Sequence, residues 1–139
     1  MKSLKSVVGC IIIGMTIISC LDNEPVSNVN YKYSEIDSIQ IGEINPARSV
    51  TEIKTFFTRN NSCETFFDYD YQISGNERSV SIITADVVNN ATNCADISEG
   101  VAHTLLFKPD VSGTYTFRFW AGNDENEEPI FIVKELEIP

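Results

Sequence analysis

The sequence predicts an all-β, antiparallel sandwich of about seven strands, on three observations. Aromatic and β-branched residues recur with period two, the spacing of a strand with one buried face. Turn formers and charge separate these segments, as at Ser74-Gly75-Asn76 and between Asn123 and Pro129. No segment carries a convincing apolar period of about 3.6 residues, which a helix packed on a core needs.

In chain order, the first two expected strands are residues 38–44 and 50–59. Residues 63–73 alternate strictly: Cys63, Thr65, Phe67, Tyr69, Tyr71 and Ile73 are expected to face the core, and Glu64, Asp68, Asp70 and Gln72 the solvent. After the turn at Gly75, residues 78–88 are rich in β-branched side chains and read as the returning strand. Residues 101–108, which include His103, come next. In residues 113–120, Tyr115, Phe117 and Phe119 share one face while Thr116 and Arg118 share the other. Residues 130–138 place Ile130, Ile132, Leu136 and Ile138 in step, and these last two strands are expected to pair as a terminal hairpin.

The N-terminus has the layout of a secretory signal: Lys2 and Lys5, then residues 7–19 without a charge. That run is shorter than the roughly 20 apolar residues a membrane-spanning helix requires. It ends in Ile17-Ile18-Ser19-Cys20, which resembles the lipobox of bacterial lipoproteins, in which the cysteine takes diacylglycerol and the signal is removed. Val7-Val8-Gly9-Cys10 fits the same short pattern, but cleavage there leaves too short an apolar core and the oily residues 11–18 on the product. The resemblance implies lipidation of Cys20 and a membrane contact through lipid, each buried methylene contributing about 0.8 kcal/mol. Leu21-Asp22-Asn23-Glu24 resembles the signal that directs many Bacteroidetes lipoproteins to the cell surface. The expected location is the outer membrane, facing outward ahead of the periplasmic side. The expected organisation is a removed signal (1–19), a lipidated cysteine with a polar tether (20–35) and one domain (36–139).

Twenty acidic residues stand against ten basic ones, and removal of Lys2 and Lys5 takes the formal charge from −10 to −12. Such a field repels phosphate, which argues against nucleic acid and against electrostatic docking to anionic lipid. With Cys10 removed and Cys20 lipidated, Cys63 and Cys94 remain, and an exported protein is expected to join them. A closed loop of roughly 30 residues contributes about 3 kcal/mol on the chain-entropy account. Zinc normally takes four ligands, so two cysteines and one histidine give no metal site, and no cofactor is expected.

Pro109-Asp110-Val111-Ser112-Gly113-Thr114 leading into Tyr115 resembles the tyrosine corner of immunoglobulin-like domains, which implies an immunoglobulin-like sandwich. Phe117 stands where an antibody domain has its second cysteine, so the antibody disulfide is absent. The S-C-x-x-F-F-x-Y segment from Ser62 to Tyr69 and the G-x-Y-x-F-x-F-W segment from Gly113 to Trp120 resemble a group of small flavobacterial lipoproteins of undefined function. This resemblance implies an address and a fold and brings no activity with it.

Several residues are candidates for chemistry. His103, the single histidine, would have to serve any Ser/His or Cys/His catalyst, and no G-x-S-x-G segment accompanies it. Asp68 and Asp70 share a strand face and would be the carboxylate pair of a small hydrolytic or carbohydrate-active enzyme. Asp124, Glu125, Glu127 and Glu128 offer oxygen ligands to calcium without the spaced acids and glycine of an EF-hand loop. Trp120 is the candidate ligand-binding aromatic; Tyr69 and Tyr71 belong to the expected core face. Asp37-Ser38-Ile39 matches the O-glycosylation acceptor used on exported Bacteroidetes proteins. The function expected from all this is a lipid-anchored envelope protein that binds a protein or glycan partner without catalysis. The alternatives are the Asp68/Asp70 enzyme and a calcium-stabilised module.

Overall fold

A computed structural model describes residues 28–88 and 93–139; the expected signal (1–19) and Cys20 lie outside the described residues. Eight strands are seen: β1 (Asn28–Ser34), β2 (Ser38–Ile41), β3 (Thr51–Asn61), β4 (Glu64–Ser74), β5 (Glu77–Val88), β6 (Asp96–Phe107), β7 (Gly113–Asn123) and β8 (Pro129–Ile138). They form a five-stranded sheet of β1, β4, β5, β7 and β8 and a three-stranded sheet in the order β2-β3-β6.

β5 organises the larger sheet. β4 pairs with it along its whole length, from Glu64↔Asp86 to Ser74↔Glu77. Its other edge is divided between two strands: β7 runs parallel to residues 77–80, and β1 runs antiparallel to residues 82–88. β1 and β7 therefore meet end to end, and Ile36 N–H donates to Trp120 O at 3.0 Å across the junction. One residue later Asp37 N–H donates to Phe56 O of β3 at 2.8 Å, so the chain changes sheets within two residues. Ile36, buried at this crossing, joins the core.

Both sheets contribute to that core. Ile53 and Phe57 of β3 and Leu105 and Phe107 of β6 meet Val80 and Ile82 of β5, Tyr115, Phe117 and Phe119 of β7, and Leu136 and Ile138 of β8. The rings of Phe107 and Phe117 pack edge to face with centroids 4.9 Å apart, the arrangement that aromatic quadrupoles favour. Tyr115 O–H donates to Val111 O at 2.9 Å, which is the hydrogen bond of a tyrosine corner. Gly75 takes φ +57° in the β4–β5 turn, a conformation that favours glycine. The terminal hairpin forms as expected, with Tyr115 opposite Leu136 and Phe119 opposite Ile132.

Two expectations change. Residues 28–34, expected to end a polar tether, are β1: their apolar side chains Val29, Tyr31 and Tyr33 alternate, but outward, and backbone pairing to β5 holds the strand. In β4 the register slips between Phe66 and Asp68, a bulge in which Phe67 is the extra residue. Before it, Glu64 and Phe66 point inward while Thr65 and Phe67 are exposed; beyond it Tyr69 and Tyr71 turn to the core, but Ile73, expected with them, is exposed at the end of the strand. Glu64 was expected in solvent and is fully buried instead, and Cys63, expected on the core face, sits half-buried in the turn before β4.

Candidate functional site

The outer face of the larger sheet carries a group of exposed rings. Ile82 and Thr84 of β5 point inward, so Ile83 and Ala85 point outward, and their partners Tyr33 and Tyr31 on β1 point outward with them. Tyr31, Tyr33 and Phe67 are 57%, 56% and 54% exposed, far more than side chains of this size in a core. Tyr31 packs edge-on against Phe67, centroids 4.7 Å apart. Trp120 follows the buried Phe119 and so lies on the outer face, where its ring sits 6.1 Å from that of Tyr33 with the planes 68° apart. Its indole N–H donates to Asn123 Oδ1 at 3.2 Å, which fixes the ring orientation.

Two clefts flank this pair of rings. The larger, about 380 Å³, lies between β1, the sheet crossing and β3, and includes Glu35, Asp37, Thr58 and Asn60 in its walls. The second, about 290 Å³, adds Asp70, Ser81 and Asn123. Tyr33 O–H donates to Asp70 Oδ2 at 3.0 Å; that bond, with the negative charge behind it, raises the Tyr33 pKa above its ordinary value. Asp37 Oδ2 accepts from Thr58 Oγ1 at 2.8 Å. Gly122, at φ +100°, is buried against Glu35, whose carboxylate lies 2.6 Å from where a β-carbon would stand. A side chain at this position would displace that acid from the cleft wall, and the positive φ itself favours glycine.

Beneath the clefts Glu64 is held by four groups. Ser34 Oγ and Thr84 Oγ1 donate to Oε1 at 3.0 and 2.9 Å, Asn60 N–H donates to Oε2 at 2.9 Å, and Lys32 Nζ lies 3.3 Å from Oε2. Burial by itself pushes the Glu64 carboxyl up; the Asn60 amide, the Thr84 and Ser34 hydroxyls and the Lys32 charge together bring it below its ordinary value. The carboxylate thus ties β1, β4, β5 and the end of β3 together, and it fixes the backbone carrying Tyr33.

The other candidates are dispersed. Asp68 and Asp70 do share the outer face, with Asp68 Oδ1 accepting from the Tyr69 amide at 2.8 Å. His103 stacks on Phe66 with centroids 3.6 Å apart, and burial lowers its pKa. Tyr69 is partly buried and shares a 2.7 Å hydrogen bond with Thr55 across the two sheets; burial raises its pKa. Asp124 Oδ1 accepts from the backbone N–H of Asn126 and Glu128 at 2.8 and 3.0 Å, so this acid closes its own turn. Cys63 and Cys94 are joined with Cα atoms 5.4 Å apart, pinning the β3–β4 turn to the segment entering β6. Ser62 and Ala95 add two hydrogen bonds of 2.9 Å beside it.

Of the residues singled out in the sequence, the structure brings Trp120 and Asp70 to one surface and leaves His103 and the residues 124–128 elsewhere. Tyr33, Tyr31 and Glu64 were missed. The signal for the tyrosines was the alternation Val29-x-Tyr31-x-Tyr33 in a segment otherwise polar. No protein-family model, curated protein or solved structure matches the chain.

Proposed function

We propose that the protein is a lipid-anchored, non-enzymatic binding module of the bacterial cell envelope, which meets its partner on the outer face around Tyr33 and Trp120. The observation that carries this reading is the concentration of exposed rings there, more than half of Tyr31, Tyr33 and Phe67 lying open to solvent. Exposed aromatics rimmed by polar groups are the composition of binding surfaces, where large rigid side chains contribute contact at small entropic cost. The β1–β5 pairing and the Glu64 cluster hold these rings on strands rather than on loops, which limits the ordering cost of binding. The lipobox resemblance at Cys20 supports the anchor, and the acids behind it support a surface address.

The anchor is tested by intact mass spectrometry of the membrane fraction with protease shaving of whole cells. A chain beginning at an acylated Cys20 and lost on shaving is expected; a chain retaining residues 1–19 refutes the anchor. The binding face is tested with a photo-crosslinking residue at Ser81, in the wall of the second cleft. Discrete adducts on cells that disappear in a Tyr33→Ala, Trp120→Ala variant are expected, and adducts unchanged by that variant refute the face.

A further inference from the structure

We propose that the cleft at Tyr33 and Trp120 takes an organic cation, namely an arginine or lysine side chain on a basic polypeptide segment. The inference deepens the binding reading above and rests on it. Two rings standing 68° apart form two walls of a corner, and both line each of the adjoining clefts. A guanidinium or ammonium within about 6 Å of such ring faces is attracted by their quadrupoles, most strongly by tryptophan.

The charge around the corner selects the sign of the ligand. Glu35 and Asp37 line one cleft and Asp70 the other. Lys32, the basic residue in the walls of the two clefts, is already engaged by Glu64 and Asp86 at 3.3 Å each. An anion entering here meets three carboxylates and a spent ammonium, and the chain as a whole carries −10. Such a field attracts basic ligands over distances of about 8–10 Å at physiological salt.

The arrangement distinguishes an organic cation from a metal ion. Among the described residues no three histidine, cysteine, aspartate or glutamate side chains come close enough together to hold a metal. Glu35 and Asp37 are instead set around a space of about 380 Å³ that Tyr33 and Trp120 help to wall, and Asp70 lines the adjoining one, which suits a flat, weakly hydrated guanidinium or the stem and head of a lysine. Tyr31, two residues from Tyr33 on the same face of β1, packs against Phe67 of β4, so an extended segment has further exposed aromatic surface along these strands.

The chain contains a single tryptophan, so intrinsic fluorescence reports on this corner directly. The test uses the full lipidated protein in neutral detergent, titrated with a tetra-arginine peptide and, separately, with a neutral oligosaccharide. The expected result is a saturable emission change with the peptide alone, weakening as sodium chloride is raised. Glu35→Gln with Asp37→Asn should weaken binding about tenfold and Tyr33→Leu about fivefold, in line with surface ion pairs and cation–π contacts. Glu43→Gln with Glu52→Gln removes the same charge from the other part of the surface and should leave binding within about twofold.

Equal loss in both double variants would mean that only the overall field attracts the peptide, and would overturn the proposal. A salt-independent response to the oligosaccharide would overturn it too, while leaving the binding face intact. Response to neither ligand also overturns it. If Ser81 adducts in addition persist without the two rings, the binding face falls with it. Melting temperatures of all variants are recorded beside the titrations, and Tyr33→Leu, whose ring is exposed, keeps the test open should the Glu35, Asp37 pair fail to fold.

Discussion

Replacing Glu64 by alanine removes an acceptor shared by four groups, and the structure sets the cost. The Asn60 amide, 2.9 Å from Oε2 at a partly buried position, loses its side-chain partner, which costs about 1–3 kcal/mol. Ser34 and Thr84 lie 3.0 Å apart and can bond one another, so their loss is smaller. Lys32 keeps Asp86 at 3.3 Å and is partly exposed, so its charge is not stranded. The vacated space adds about 1–2 kcal/mol, bringing the total to about 4 kcal/mol, a large share of a typical domain's stability. Urea unfolding followed by the single tryptophan measures it, and hydrogen exchange should show β1 losing protection first. Glu64→Gln keeps the shape and should cost about 1–2 kcal/mol at neutral pH. Because the folded carboxyl titrates below its ordinary value, its contribution is present above the unfolded pKa and is lost as pH falls through the folded one. The gap between wild type and Glu64→Gln should therefore close as pH is lowered from about 7 to about 3. A loss under about 1 kcal/mol for Glu64→Ala, or a gap that widens in acid, would refute the ionised, four-partner Glu64.

Phe117→Ala empties a fully buried ring site between Phe107 and Phe119 and should cost about 3–5 kcal/mol in urea unfolding. Tyr115→Phe deletes only the bond to Val111 O and should cost about 1 kcal/mol by the same measurement. Reduction of Cys63–Cys94, a closure over 31 positions, should lower stability by about 3 kcal/mol, read as a drop in melting temperature with reductant. Gly122→Ala should both destabilise the fold by more than about 1 kcal/mol, from φ +100°, and weaken the tetra-arginine response by displacing Glu35.

The strand class, the terminal hairpin, the β4–β5 hairpin and the partner of Cys63 were legible in the residues alone. These are local or arithmetic matters: Tyr115, Phe117 and Phe119 alternate within one strand, and Gly75 sits in a two-strand turn. The tyrosine corner was legible for the same reason, since its hydrogen bond spans only four residues. What escaped depended on neighbours distant in the chain. β1 is polar enough to read as a tether, and it became a strand because β5, far along the chain, offers a free edge, pairing Asn28 with Val88 and Ser34 with Ile82. The bulge at Phe67 left no local signature; it reverses which side chains of β4 face inward, and it is reconciled with burial of Glu64 by partners on β1, β3 and β5. Trp120 was recognisable as a candidate ring. Only the end-to-end meeting of β1 and β7 along one edge of β5 set Tyr33 beside it, because strand pairing, and no property of either segment alone, brings residues 33 and 120 together.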